Sequence, residues 1–91
     1  MRLEWDINKN IQNIEKHGFD FTDAHELFEQ PICVRRDARK DYGEIRYQAI
    51  GFIRKRLVVI IFTECEDHIR IISLRRANGR EEKAFKEAFQ N

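Results

Sequence analysis

The chain is poor in the residues that interrupt or staple a fold: 91 residues contain one proline, four glycines, two cysteines and one methionine. With Pro31 alone and so few glycines there is no linker, low-complexity segment or repeat, which leaves a single domain over residues 1–91. Cys33 and Cys65 stand far apart and form no Cys-x-x-Cys pair, so neither a zinc site nor a disulfide framework is signalled, and both are expected reduced and packed. No apolar run approaches the ~18 residues of a membrane span. The opening MRLEWD lacks the basic and apolar regions of a signal peptide, so a cytoplasmic location without membrane contact is expected. Ser-His-Asp patterns, a glycine-rich phosphate loop, HExxH and paired metal-binding carboxylates are missing too; no metal or cofactor is expected.

What is present is enough apolar side chain for a modest core: 42% hydrophobic and 11% aromatic, including seven Phe. The net charge of +1 hides an asymmetry. Residues 1–30 carry three Lys/Arg against seven Asp/Glu, whereas residues 31–80 carry twelve against six. The basic clusters Arg35, Arg36, Arg39, Lys40 and Arg54, Lys55, Arg56 fit either phosphate neutralisation or a solvated face of strands and loops.

Asp6 is a good N-cap for a helix in which Ile7, Ile11 and Ile14 recur at helical spacing, and Gly18 is a fitting end for it. The three isoleucines are expected to cover its buried side. Thr22 is expected to cap a second helix of about two turns with Ala24, Leu27 and Phe28 inward, stopped before Pro31. The period then changes to two. ICVR (32–35), IRYQAIGFI (45–53), LVVIIFTE (57–64) and HIRIISLR (68–75) read as consecutive antiparallel strands. After Ala77 a last helix is expected, with Glu81 and Glu82 on its N-terminal dipole and Ala84, Phe85, Ala88 and Phe89 as its apolar stripe. With a short first strand around Leu3, the fold class is α+β: N-terminal helices and a C-terminal helix packed on one mainly antiparallel sheet. If the hairpins turn at Arg54-Lys55 and at Glu64 to Asp67, Arg46, Gln48, Ile61, Thr63, His68 and Arg70 share one face, and Tyr47, Phe62 and Ile69 the other.

Several residues could carry chemistry. Arg70, Arg75, Arg76 and Arg80 gather around the end of the last strand and the start of the last helix, where guanidinium groups can hold phosphate or pair with Glu64, Glu66, Glu81 and Glu82. Glu44 and Arg46 lie on the same side of a strand, as a base beside an electrostatic stabiliser or as a plain ion pair. His17, next to Lys16, can titrate near neutral pH, or can serve the dipole of its helix. Tyr47 suits the core with its hydroxyl at the rim, or a base-stacking or proton-donating role.

Trp5, Asp6, Lys9, Asn13, Lys16, His17 and Gly18 spell W-D-x-x-K-x-x-x-N-x-x-K-H-G; Glu44, Arg46, Tyr47, Ile50 and Gly51 spell E-x-R-[FY]-x-x-I-G; Arg70, Ile71, Ile72, Ser73, Arg75 and Ala77 spell R-I-I-S-x-R-x-A. These three ordered blocks resemble the BrnT family of toxins from bacterial type II toxin–antitoxin systems, with departures at Cys65, usually a basic residue, and Leu74, usually a small one. The resemblance implies a RelE-like fold and a metal-independent endoribonuclease that cuts RNA and arrests translation and growth. It also implies neutralisation by a BrnA-type antitoxin, expected in a 2:2 hetero-oligomer that reaches DNA only through the antitoxin. On it, Arg46, Arg70 and Arg75 are expected to stabilise the phosphate and transition state. Glu44 or His17 would be the base and Lys16, His17 or Tyr47 the acid; Lys9, Lys16, Tyr47 and Arg76 are expected RNA contacts. The rival expectation is a non-catalytic nucleic-acid or protein-interaction module that uses the same basic surface.

Overall fold

The computed structural model describes residues 2–89. Five strands and three helices follow the chain as β1 (Leu3–Glu4), α1 (Ile7–His17), a 3-10 turn (Phe21–Asp23), α2 (Ala24–Phe28), β2 (Cys33–Arg36), β3 (Tyr47–Ile53), β4 (Arg56–Glu64), β5 (Ile69–Arg76) and α3 (Gly79–Ala88). The strands form one mixed sheet in the order β1-β5-β4-β3-β2, in which β2 to β5 are an antiparallel meander and β1 runs parallel to β5. The class is therefore α+β.

The β3–β4 hairpin turns at Arg54 and Lys55, both with positive φ (50° and 67°), the conformation that a two-residue turn needs to match strand twist. Neither residue is glycine, so the turn is held from outside: the Arg54 backbone N–H donates to Glu26 at 2.7 Å and its guanidinium pairs with Asp23 at 2.9 Å. The resulting pairs Tyr47 with Phe62 and Gln48 with Ile61 give the face assignment expected from parity. One irregularity interrupts it. The register between β4 and β5 shifts at Ile61/Phe62, a bulge that inserts Ile72 between Ile71, opposite Phe62, and Ser73, opposite Ile61.

One sheet face is sealed. Phe21, Ala24 and Leu27 join Ala49, Ile53, Val58, Ile60, Phe62, Ile71 and Leu74 in one apolar cluster, with Trp5 edge-on to Phe21. Packing is close enough that a Cβ on Gly51 would meet Ile32 Cγ2 at 2.7 Å. The other face has a smaller cluster of Ile50, Val59, Ile61 and Phe85.

Three expectations need correction. Ile7, Ile11 and Ile14 do not cover the buried side of α1: they are 72%, 50% and 40% exposed, and the buried residue is Asn13. The cause is the short β1. It pairs with β5 only at Ile69 and Arg70, leaving the edge backbone of β5 open at Leu74. Asn13 fills that gap like a missing strand residue: its amide donates to the carbonyls of Leu74 (2.8 Å) and Phe19 (2.9 Å) and accepts from the Leu74 N–H (3.1 Å). Asn10 reinforces the rotation by donating to Asp20 and accepting from the Phe21 N–H.

Thr22 is not a cap. Asp20 accepts from the Thr22 N–H at 2.9 Å and opens the 3-10 turn, so α2 itself has five residues. Of the stripe expected on α3 only Phe85 is buried, and the other buried position of the helix is the charged Glu81. Ala84 and Ala88 line an open groove of about 450 Å³ with Cys33, Val34 and Ile50 instead, and Phe89 is exposed. Both cysteines are free and half-buried.

Candidate functional site

The ends of α1 form as their sequence dictates: Asp6 accepts from the Lys9 N–H at 3.1 Å, and Gly18 closes the helix at φ 77°. The charged side chains meet on the less covered face of the sheet. Glu44 and Arg46 precede β3 by a few residues, and the Arg46 carbonyl accepts from the Asp37 N–H at 2.8 Å, which ties this approach to the end of β2. The pairing of Thr63 with Arg70 then brings β5 alongside. As a result the Glu44 carboxylate is shared between two guanidiniums, Arg46 Nε at 3.0 Å and an Arg70 terminal nitrogen at 2.8 Å. Hydrogen bonding from Arg46, with the charges of Arg70 and Arg46, holds the Glu44 carboxyl below its ordinary range. Arg46 also lies 4.1 Å over the Tyr42 ring, which fixes the guanidinium plane. Thr63 donates to the Ile45 carbonyl at 2.8 Å and completes the frame.

Glu44, Ile45, Tyr47, Thr63 and Arg70 line an open concavity of about 520 Å³. Tyr47 reaches it from the core side, where its ring stacks on Phe62 at 5.6 Å. Around the sheet edge, Lys9 and Arg70 line a second concavity with Trp5 and Ile72. Glu44, Arg46, Tyr47 and Lys9 thus surround Arg70.

A second cluster lies farther along the same face. Arg75 holds Glu81 with two bonds of 2.8 Å, Gln48 donates to Glu81 at 3.2 Å, and Arg35 donates to Gln48 at 2.9 Å. The Arg75 bonds, helped by the Asn78 backbone N–H, pull the Glu81 carboxyl down to about 2, and Glu81 in turn raises Arg75. His17 belongs electrostatically to this end: burial first, then Lys16 and Arg75, lower its pKa, so the imidazole is neutral at pH 7 and can accept a proton. Lys16 is exposed beside it. Arg76 is exposed and has the parity of the core face, opposite Val58. Arg80 has no ion pair among the described residues.

Residues outside the expected set also build this surface. Glu81 was expected on the helix dipole and as one of several possible partners of the arginines; its Asn-x-x-Glu spacing with Asn78 also forms a capping box. Gln48 is a lone amide within an apolar strand. Asp37, only 7% exposed, clamps Arg39 with two 2.8 Å bonds. Among the described residues no three His, Cys, Asp or Glu converge as a metal site would need.

This face can hold an oxyanion between Arg46 and Arg70, with the Glu44 carboxylate beside them as a proton acceptor; the His17 imidazole lies toward the Arg75 cluster instead. A family model described as a ribonuclease toxin, BrnT, of type II toxin–antitoxin systems matches residues 5–81. No curated protein matches the chain.

Proposed function

The chain belongs to the BrnT family of ribonuclease toxins of type II toxin–antitoxin systems, and from that premise we propose that it is a metal-independent endoribonuclease whose reacting phosphate binds at Arg46 and Arg70. The observation that carries this reading is the Glu44 carboxylate bridging the two guanidiniums at 3.0 and 2.8 Å on an open face. A carboxylate bound in that way marks where a phosphate oxyanion would sit.

In the resting protein Glu44 is a weak base, because its two partners favour the ionised form. A phosphate that takes over Arg46 and Arg70 frees the carboxylate and raises its proton affinity at the moment a base is needed. The 2′-hydroxyl then gives its proton to Glu44, its oxygen attacks phosphorus, and the P–O5′ bond breaks to leave a 2′,3′-cyclic phosphate. The 5′ oxygen takes its proton from Tyr47 or from a lysine at the rim. Arg46 and Arg70 hold the charge that develops on phosphorus, and Arg75, neutralised by Glu81 at rest, joins them where a flanking phosphate displaces that carboxylate. His17 is the alternative base. Lys9, Lys16 and Arg76 are assigned to the flanking RNA.

The wider setting follows the family: a RelE-like fold, cleavage that arrests translation in the bacterial cytoplasm, and neutralisation by a BrnA-type antitoxin in a 2:2 complex that touches DNA through the antitoxin.

The deciding experiment adds antitoxin-free protein to RNA in the presence of a chelator. Cleavage to cyclic-phosphate ends is expected, and Arg46→Ala and Arg70→Ala should each lower the rate about 10²-fold or more while the melting profile stays cooperative. Wild-type protein that only shifts the RNA would establish the non-catalytic module instead. Full activity in both variants would remove the phosphate site from these arginines.

A further inference from the structure

The outward row of α1 is unexplained by the RNA site. At about 100° per residue, Ile7, Ile11 and Ile14 fall within an arc of about 60°, roughly a quarter turn from the inward side that carries Asn10, Asn13 and His17. They are the most exposed aliphatic residues of the helix, at 72%, 50% and 40%. Isolated exposed isoleucines need no account, but three in one row on an 11-residue helix form a continuous apolar ridge. The ridge has no structural duty, since Asn13 and Asn10 carry the docking of α1.

Its surroundings select the occupant. Glu15 lies along one side of the row, and Asp20, bonded to Asn10, along the other. Lys9 and Lys16 point roughly opposite, toward the expected RNA side. The Glu15 and Asp20 carboxylates repel phosphate, so the ridge is not an extension of the RNA face. A second copy of the chain fits poorly as well. Self-pairing would set Glu15 and Asp20 of one molecule against those of the other. The three isoleucines expose on the order of 300 Å² together, well short of the ~800 Å² per partner of a stable interface, so any occupant must reach beyond them. A different chain can continue past the ridge, and can bring basic residues to its acidic borders.

We propose that the Ile7-Ile11-Ile14 ridge is the anchor for the antitoxin, which lays an amphipathic helix on it, apolar row inward and Lys or Arg at its flanks. This rests on the toxin reading above and adds the place and the chemistry of contact. The antitoxin is then held on the outer side of α1 without using Ile7, Ile11 or Ile14 in catalysis.

The test co-expresses the chain with the protein encoded beside it and measures their affinity by calorimetry for wild type, Ile7→Asp, Ile11→Asp and the conservative Ile11→Met. Antitoxin-free RNA cleavage and thermal melting are followed in parallel. The expected result is binding weakened about 100-fold or more in both Asp variants, near-normal binding in Ile11→Met, and unchanged RNA cleavage throughout. Glu15→Lys should weaken binding by a smaller factor, about 3- to 10-fold, and flatten its salt dependence. Antitoxin binding as tight in both Asp variants as in wild type overturns the proposal. So does a result in which Ile11→Asp dissolves a homodimer and leaves the antitoxin complex intact. Wild-type protein that cuts RNA but binds no neighbour-encoded protein refutes the docking alone, whereas wild-type protein that binds its neighbour but cuts no RNA refutes the catalytic reading, and the Asp variants still decide the docking.

Discussion

Helices α1 and α3 are both amphipathic in sequence, both approach the sheet, and each buries one polar side chain, yet they are held by different physics. In α1 the buried anchor is Asn13, an amide that bonds only to backbone, at Leu74 and Phe19. In α3 it is Glu81, a carboxylate bonded to the side chains of Arg75 and Gln48, with Phe85 one turn on. The first helix completes the edge of a sheet that β1 leaves unfinished. The second covers part of a charged face and neutralises one of its arginines. A neutral anchor ties α1 to the fold at every pH, whereas a charged anchor makes the seat of α3 depend on acidity and on whatever anion competes for Arg75.

The largest effect that separates them is expected from Asn13→Ala. It removes three hydrogen bonds and leaves the Leu74 N–H and two carbonyls without their partner, for a loss of about 2–4 kcal/mol. Urea unfolding checks it, and the loss should be equal at pH 7 and pH 4, since no titrating group is involved. A loss confined to one pH would mean that α1 is held by its charged neighbours instead.

That prediction also marks where sequence reading stops. The two ends of α1 were legible because Asp6 and Gly18 act within one turn of their own helix. The strands were legible because period two and a two-residue turn at Arg54-Lys55 constrain one another locally. The inward side of α1 was not. It depends on Leu74, 61 residues away, and on β1 being too short to pair there, so the isoleucine row at helical spacing pointed to the wrong side. The candidate site divides in the same way. Glu44 and Arg46 are neighbours at i, i+2, but Arg70 joins them only through the β4–β5 register. Glu81 was legible as one of four carboxylates that could pair with the arginine cluster, but its choice of Arg75 depends on how α3 returns to the sheet.

Glu81→Gln probes the charged anchor, with a smaller and pH-dependent effect. The Glu81 carboxyl titrates at about 2 in the folded chain against an ordinary 4.5, so its depressed value stabilises the fold fully above pH 4.5. That contribution is lost as pH falls toward 2. With Glu81 and Arg75 both partly open to water, its size is on the order of 2 kcal/mol. Wild type should exceed Glu81→Gln by about that much at pH 7, and the two urea curves should converge as pH approaches 2. Both proteins will weaken in acid, because Asp20, Asp37 and Glu44 are also held below their ordinary range; the difference between them isolates Glu81. A gap that persists unchanged at pH 2 would show that Glu81 acts through shape.

The smallest expected effect completes the contrast from the solvent side of α3. Lys86 pairs with Glu82 one turn earlier at 3.3 Å, with side chains 67% and 51% exposed. The order, acid before base at i, i+4, is the favourable one, but water screens both charges and two long side chains must be fixed to make the pair. Lys86→Ala should therefore change stability by no more than about 0.5 kcal/mol, part of it offset by the better helix propensity of alanine. Lys86 also borders the aromatic group of Phe52, Phe85 and Phe89, over which its alkyl stem can lie. A loss above about 1 kcal/mol would mean that this stem shields the aromatics, and that α3 is seated by its outer edge as well as by Glu81; a change within the smaller bound leaves the Arg75 pair and Phe85 as the contacts that hold the helix on the sheet.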